Sequence, residues 1–428
     1  MSSPRLITLP GGLTLATLER GGPPILAARL WMAHGSGLDP TGARGAHQLL
    51  AGVLTRGCGQ LSAESLADLV EGRGAALRAE ASEDNLLISL KCATEDGATL
   101  LPLLLQMASS PRLEPDQIEL ERQLNVQSLQ RQREDPFQLC HEALRSQIYS
   151  DGPYGHDPLG VIDELEAIPL SQLHSLVGTL GQRGAVLVVS GHLDGDLDQL
   201  LASTLNQLPW TPARPGHDLP LAVDTTSGPS LELLEQDTEQ LVLMLGCATP
   251  PLAHPDSLPL RLLQAHLGLG MSSRLFLVMR EERGLAYDVG VHMPARRAST
   301  PTIWHLSSSA ERAGEACTAL LDEWQRVLEV PLSAAELHLA QAKYLGQDAM
   351  GRQTCGQIAE RHALLLGFGL PADFIETSLQ RAAQLSAEEV LAVAQRWLVR
   401  PHLSLCGSAP ALEAAATAWR KHGLNAHL

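Results

Sequence analysis

The chain has 428 residues, 44% of them hydrophobic and 3% aromatic, with a formal net charge of −17. That length exceeds one ordinary core and sets an expectation of roughly two to four domains. The acidic balance argues against a phosphate-reading surface or a polybasic membrane anchor, and so few aromatic rings leave little for base stacking.

Residues 5–20 and 24–33 read as two strands, the first broken at Gly11 and Gly12, where a tight turn fits. After the loop GSGLDPTGARG, the run AHQLLAGVLTR is apolar enough to predict a buried helix. LSAESLADLVEGRG predicts a second helix, with Ser62 as its N-cap and Gly72 or Gly74 as its stop. ALRAEASEDNLLISLKCA is strand-like, and helices are expected over DGATLLPLLLQMAS and over residues 115–133. Further on, Leu275, Phe276, Val278 and Met279 have helical spacing, Arg280, Glu281, Glu282 and Arg283 follow, and past Gly284 the segment LAYDVGVH alternates as a half-buried strand does. On pattern alone this stretch is a charged surface helix followed by a core strand.

Later segments echo earlier ones. LEPDQIELERQL from Leu113 returns as LSAAELHLAQAK from Leu332, LSQLHSLVGTL from Leu170 as LSAEEVLAVAQ from Leu385, and AVLVVSGHLDGDLDQLLA from Ala185 as HLSLCGSAPALEAAA from His402, at offsets of 215 to 219 residues. A near-constant offset that long predicts a duplicated α+β unit rather than a solenoid. Five prolines between Pro209 and Pro229 mark the connection, so the expected division is a first domain over 1–208, a linker over 209–229 and a second domain over 230–428.

Seven cysteines stand far apart with no CxxC, the pattern of free thiols in a reducing compartment. The N-terminal residues lack a basic start followed by an apolar run, and no uninterrupted apolar stretch approaches about 18 residues. A cytoplasmic chain that neither spans a membrane nor binds nucleic acid is expected.

The segment over residues 270–287 resembles the C-terminal-half motif of the zinc peptidases of the pitrilysin, insulinase and mitochondrial-processing-peptidase family. PYGHDPLGVIDELEAIPLSQL and GHLDGDL also look like family segments, of a scaffold kind. The resemblance covers nearly the whole chain and implies an α+β fold of two related halves, of the type shared with LuxS and the processing peptidases, closing like a clamshell. It implies that Arg280 holds the substrate backbone and Tyr287 supports the oxyanion. It also implies that residues 75–82 capture extended peptides by strand addition, with Ala79, Ala81 and Ser82 as substrate-binding positions.

Active relatives carry HxxEH on a first-half helix, which puts two imidazoles on one face with a glutamate between them, and a further glutamate ligand beyond. Here GARGAHQLLAGVLTRG keeps His47 in the first place, has Leu50 at the general-base position and Ala51 at the second histidine, and places the third ligand at about Ser128, with Glu121 seven residues earlier. A catalytic zinc needs about three protein ligands, so no metal is expected in this chain, and His47 reads as a hydrogen-bonded interior histidine. No HxxxH occurs among the 16 histidines, no GxSxG is present, and GLGMSS lacks the lysine of a P-loop.

Three functions remain. The first is a non-catalytic subunit that donates Arg280 and Tyr287 to an HxxEH-bearing partner in a heterodimer, the zinc being the partner's and the substrate a peptide. The second is an inactive scaffold or assembly protein, and the third a peptide-binding module.

Overall fold

The computed structural model describes residues 3–214, 221–226 and 228–425. The first half begins with β1 (Arg5–Thr8) and β2 (Thr14–Glu19), joined through a turn in which Gly11 and Gly12 take φ of 72° and 77°, a region that glycine reaches without strain. Then come β3 (Ile25–Met32), α1 (Ala46–Leu54), the short pair β4 (Gly57–Cys58) and β5 (Leu61–Ser62), and α2 (Ala63–Glu71), whose N-cap Ser62 accepts from Ser65 N at 3.2 Å. The hairpin β6 (Ala76–Ala81) and β7 (Leu86–Ala93) precedes α3 (Gly97–Ser109), α4 (Pro115–Gln132) and α5 (Pro136–Tyr149). Helices α6 (Ile162–Ala167) and α7 (Leu170–Val177), strand β8 (Ala185–Gly191) and α8 (Leu197–Gln207) complete it.

The second half repeats the series: β9 (Leu231–Glu235), β10 (Gln240–Thr249), α9 (Ser257–Gly268), a π-helical turn over Phe276–Glu282, β11 (Asp288–His292), β12 (Thr300–Ser309), α10 (Ala313–Glu329), α11 (Ala334–Met350), α12 (Cys355–Gly367), α13 (Phe374–Ala382), α14 (Ala387–Trp397), β13 (His402–Gly407) and α15 (Ala409–Lys421). The first sheet is ordered β1-β2-β8-β3-β7-β6 and the second β9-β13-β10-β12-β11. Within these, β2 with β8 and β9 with β13 run parallel, and every other neighbouring pair is antiparallel. Setting β1 aside, both sheets share strand order and direction, which is the duplication that the offsets predict. Of the expected linker over 209–229, residues 215–220 and 227 lie outside the described residues.

The compact units are not contiguous in sequence. Residues 1–129, 157–221 and 349–375 form one, and residues 130–156, 222–348 and 376–428 the other, so each half gives the other a helix, α12 in one direction and α5 in the reverse. The division therefore departs from the expected 1–208 and 230–428 by one helix each way. The reason is in the sheets. Strand β8 is buried along its whole length and β3 along most of it, so helices must cover both faces. In the first unit α1 and α3 pack on one face, while α12 covers the other, setting Ile358 and Ala363 against Trp31, Val186 and Val188. A side chain at Gly367 would reach the Trp31 indole at 2.3 Å, so the helix ends where the ring needs room. In the second unit α5 does the same, with Cys140, Leu144 and Ile148 at i, i+4 and i+8 buried against β10 and β13.

The start of α1 is held by α6 and the residues just before it. Glu164 accepts from Gly42 N, Arg44 N and Arg44 Nε, each at 2.9 Å, and the Arg44 guanidinium with these amides holds its carboxyl well down, at about 2. Gly45 and Gly160, with φ of 105° and 106°, let the two backbones touch: a Cβ on Gly45 would lie 2.7 Å from Leu159 O. Arg122 of α4 donates to Ile168 O at 2.9 Å and ties the other end of α6.

Two outcomes follow for stability. Residues 1–208 expressed alone should aggregate, because each apolar side chain on the uncovered face forfeits about 1.5–3 kcal/mol of burial, and co-expression of 349–375 should recover soluble protein. Glu164→Gln should lower the thermal midpoint at pH 7 by about 2–4 °C, roughly what 1 kcal/mol does in a domain of this size. Since a carboxyl held low contributes its stability above its ordinary 4.5 and loses it on protonation near 2, the gap between the two melting curves should close as the pH falls through that window.

Candidate functional site

Helix α1 carries His47 on its first turn, and the loop before it supplies the partner. Asp39, itself buried, accepts from His47 Nδ1 at 2.6 Å, from His47 N at 3.2 Å and from Gly45 N at 2.9 Å. Facing a carboxylate oxygen, Nδ1 carries a proton and the ring orientation is fixed. The His47 ring is fully buried, 5.7 Å from that of His34, whose basicity burial depresses to about 3. The His34 imidazole fits as a neutral interior group, and His47 as an interior histidine held by its hydrogen bond to Asp39.

The rest of the pattern has no metal chemistry. Leu50 and Ala51 are fully buried in the core of the first unit. Ser128 is half-buried on α4 and turns its hydroxyl onto Leu124 O at 2.8 Å. Glu121 is bonded to Arg56 Nε at 2.5 Å, with its other oxygen pressed so close to Gly52 that a Cβ there would stand 2.5 Å away. Among the described residues no group of three or more His, Cys, Asp or Glu is placed to hold a metal ion. One imidazole, two aliphatic side chains and a self-bonded serine do not fit a zinc ion.

Strand β6 is the edge of its sheet, with alternating exposure along it. Ala79 lies in mid-strand and Ala81 at its end, where Ala81 N donates to Gln48 Oε1 at 2.8 Å. Ser82 belongs to the β6–β7 turn: its N donates to Asn85 O, and its own O accepts from Ser36 N, both at 2.8 Å.

The segment around Arg280 differs from the expected helix and strand in winding and in boundary. Residues 276–282 form a π-helical turn, and β11 begins at Asp288, so Leu285 and Ala286 are buried ahead of the strand and both donate to Met279 O, at 2.7 and 3.2 Å. Gly284, at φ 57°, turns the chain, and Arg312 Nη1 clamps it by donating to Arg283 O at 3.0 Å and Gly284 O at 2.9 Å. The wider winding aims Arg280 back along the turn. Its guanidinium carbon lies 4.8 Å from the Tyr287 ring centre and 5.0 Å from that of Phe276, and Nη1 donates to Tyr287 O at 3.2 Å. Tyr287 is 83% exposed and Arg280 half-buried, so the phenol reaches solvent over a cation that is already oriented.

Asp39, Gln48 and Phe276 were not legible as participants. Asp39 precedes His47 by eight residues across an irregular loop, which no periodicity reports. Phe276 read as one of a helical apolar run, although its place four residues before Arg280 is the spacing at which helical side chains meet.

Two family profiles match: the one described as "Insulinase (Peptidase family M16)" over residues 17–160, and "Peptidase M16 inactive domain" over 180–344. An uncharacterised zinc protease of Mycobacterium leprae is 24% identical over 91% of this chain and 88% of its own length. The non-peptidase homolog YmxG of Helicobacter pylori is 23% identical over 83% and 82%. Among solved structures, a peptidase M16 inactive domain from Pseudomonas fluorescens superposes with a TM-score of 0.87 at 21% identity, over 95% of this chain and 98% of that one. A protease from Helicobacter pylori gives 0.84 at 18%, over 95% and 100%. With the two profiles together spanning most of the chain and its repeated α+β unit, the chain belongs to the insulinase family, peptidase family M16, and has His-Gln-Leu-Leu-Ala in place of HxxEH.

Proposed function

We propose that this chain is the non-catalytic subunit of a two-chain zinc peptidase, contributing Arg280 and Tyr287 to the site of a partner that carries HxxEH. The observation that carries the reading is asymmetric loss. Leu50 and Ala51 lie in the core where a base and a ligand would stand, while half-buried Arg280 remains stacked on exposed Tyr287, with Phe276 against the guanidinium and Arg312 bracing the turn. In such a site Arg280 takes a substrate carbonyl and the Tyr287 phenol donates to the oxygen on which charge builds as the partner's zinc site does the hydrolysis. A preoriented donor of this kind is worth about 3 kcal/mol of transition-state stabilisation. A cytoplasmic setting accords with seven free cysteines, and among the described residues no helix is long and apolar enough to cross a membrane.

A second role, peptide capture, is favoured by one further observation: β6 is an unpaired edge, with Ala79 in its middle. It is compatible with the first. A scaffold role accounts for the lost ligands equally well but gives the exposed Arg280–Tyr287 pair no task.

The chain dialysed against a weak chelator should hold no stoichiometric zinc by metal analysis, and one tightly held ion per chain would overturn the assignment of Leu50 and Ala51. With the partner, Tyr287→Phe or Arg280→Ala should leave the complex intact by size-exclusion chromatography while lowering its rate of peptide cleavage by roughly 10²-fold or more. An unchanged rate in the Tyr287→Phe complex would leave the scaffold role in its place.

A further inference from the structure

Strand β6 ends its sheet, so one side of its backbone has no strand partner. Antiparallel alternation decides which residues face that side. Ser82 N donates to Asn85 O across the turn, so Glu80 and Arg78 pair inward with Leu87 and Ser89, and Leu77, Ala79 and Ala81 direct their N–H and C=O groups outward. One of those groups is already taken, since Ala81 N–H donates to Gln48 Oε1 at 2.8 Å.

The chemistry of that contact is specific. A carboxamide facing an N–H must offer its oxygen, which leaves its own NH2 as a donor turned away from the strand. It thereby supplies the acceptor and donor that one peptide unit of a neighbouring strand would supply. Gln48 follows His47, which Asp39 pins at the first turn of α1, so the amide is delivered from a fixed point. We infer that the Gln48 carboxamide stands in for one peptide group of the strand that adds to β6, and so sets the end of the peptide site. An extended guest pairs with Leu77 and Ala79 and stops at Gln48. Displacing the amide would exchange one N–H···O bond for another with little net gain, whereas the outward groups of Ala79 gain partners they lack. The inference rests on the peptide-capture role proposed above.

The test uses the full chain and a fluorescein-labelled eight-residue peptide of alternating threonine and lysine, with a backbone N-methylated copy that cannot join a ladder. Hydrogen exchange followed by mass spectrometry over residues 75–86 reports the Ala81 amide. Gln48→Ala should speed exchange there and tighten peptide binding by roughly fivefold, the size of one freed hydrogen bond. Gln48→Glu keeps an acceptor at Ala81 and should leave exchange there near that of the unsubstituted chain. Faster exchange with unchanged affinity in Gln48→Ala would overturn the inference and leave Gln48 as a cover that keeps the bare edge from self-association. Unchanged exchange would overturn it by showing that the bond does not hold in solution. Equal binding of the N-methylated peptide to the unsubstituted chain would instead remove the peptide-capture role itself, and this inference with it.

Discussion

Everything in this chain follows from the need to cover two sheets on both faces. Strands as apolar as AVLVVSG cannot leave a face to water, and the helices that each half folds onto its own sheet cover only one. The second cover arrives from the other copy, α12 for the first sheet and α5 for the second, at equivalent places in the repeat. The exchange makes the duplicated halves mutually dependent, so neither is a domain that could be cut free at the proline-rich connection. The linker then has little to do beyond span. Folding cooperativity across both halves is the thermodynamic consequence of that dependence.

On this shared scaffold the two halves have diverged in opposite directions. In the first, the polar groups that remain are spent inward: Asp39 on His47, Glu164 on the loop before α1, Arg56 on Glu121. In the second, a half-buried cation is stacked between Phe276 and the exposed Tyr287 on a widened turn that Arg312 braces. The same repeat position that is an ordinary α-helix over Ala63–Glu71 is π-wound over Phe276–Glu282. Irregular winding of this sort persists where surrounding bonds over-determine it, and here they do.

Much of the fold was legible. Ser62 as an N-cap, the Gly11–Gly12 turn, the buried helix at AHQLLAGVLTR and the long repeat all stand in the local pattern, because capping, turn chemistry and periodicity are properties of neighbouring residues. The exchange of α5 and α12 was not. An amphipathic helix shows that it has an apolar face but not which sheet will receive it. The strand start at Asp288 was missed for a related reason, since LAYDVGVH alternates from Leu285 although Leu285 and Ala286 are buried by the turn rather than by the sheet. The candidate residues themselves were found through motif spacing, while the atoms that orient them on Asp39 and Arg312 lie across loops where spacing carries no signal.

The state of α1 has a historical consequence. Leu50 and Ala51 are packed into the interior with no accessible surface, so the positions where relatives carry a glutamate and a histidine now add to the hydrophobic core. Substitutions of that kind strengthen the fold as they remove the activity. Going back would put a carboxyl and an imidazole among leucines before any metal was present to compensate them. A metal centre at this place would therefore need room made in the core around Leu50 and Ala51 as well as the two side chains themselves.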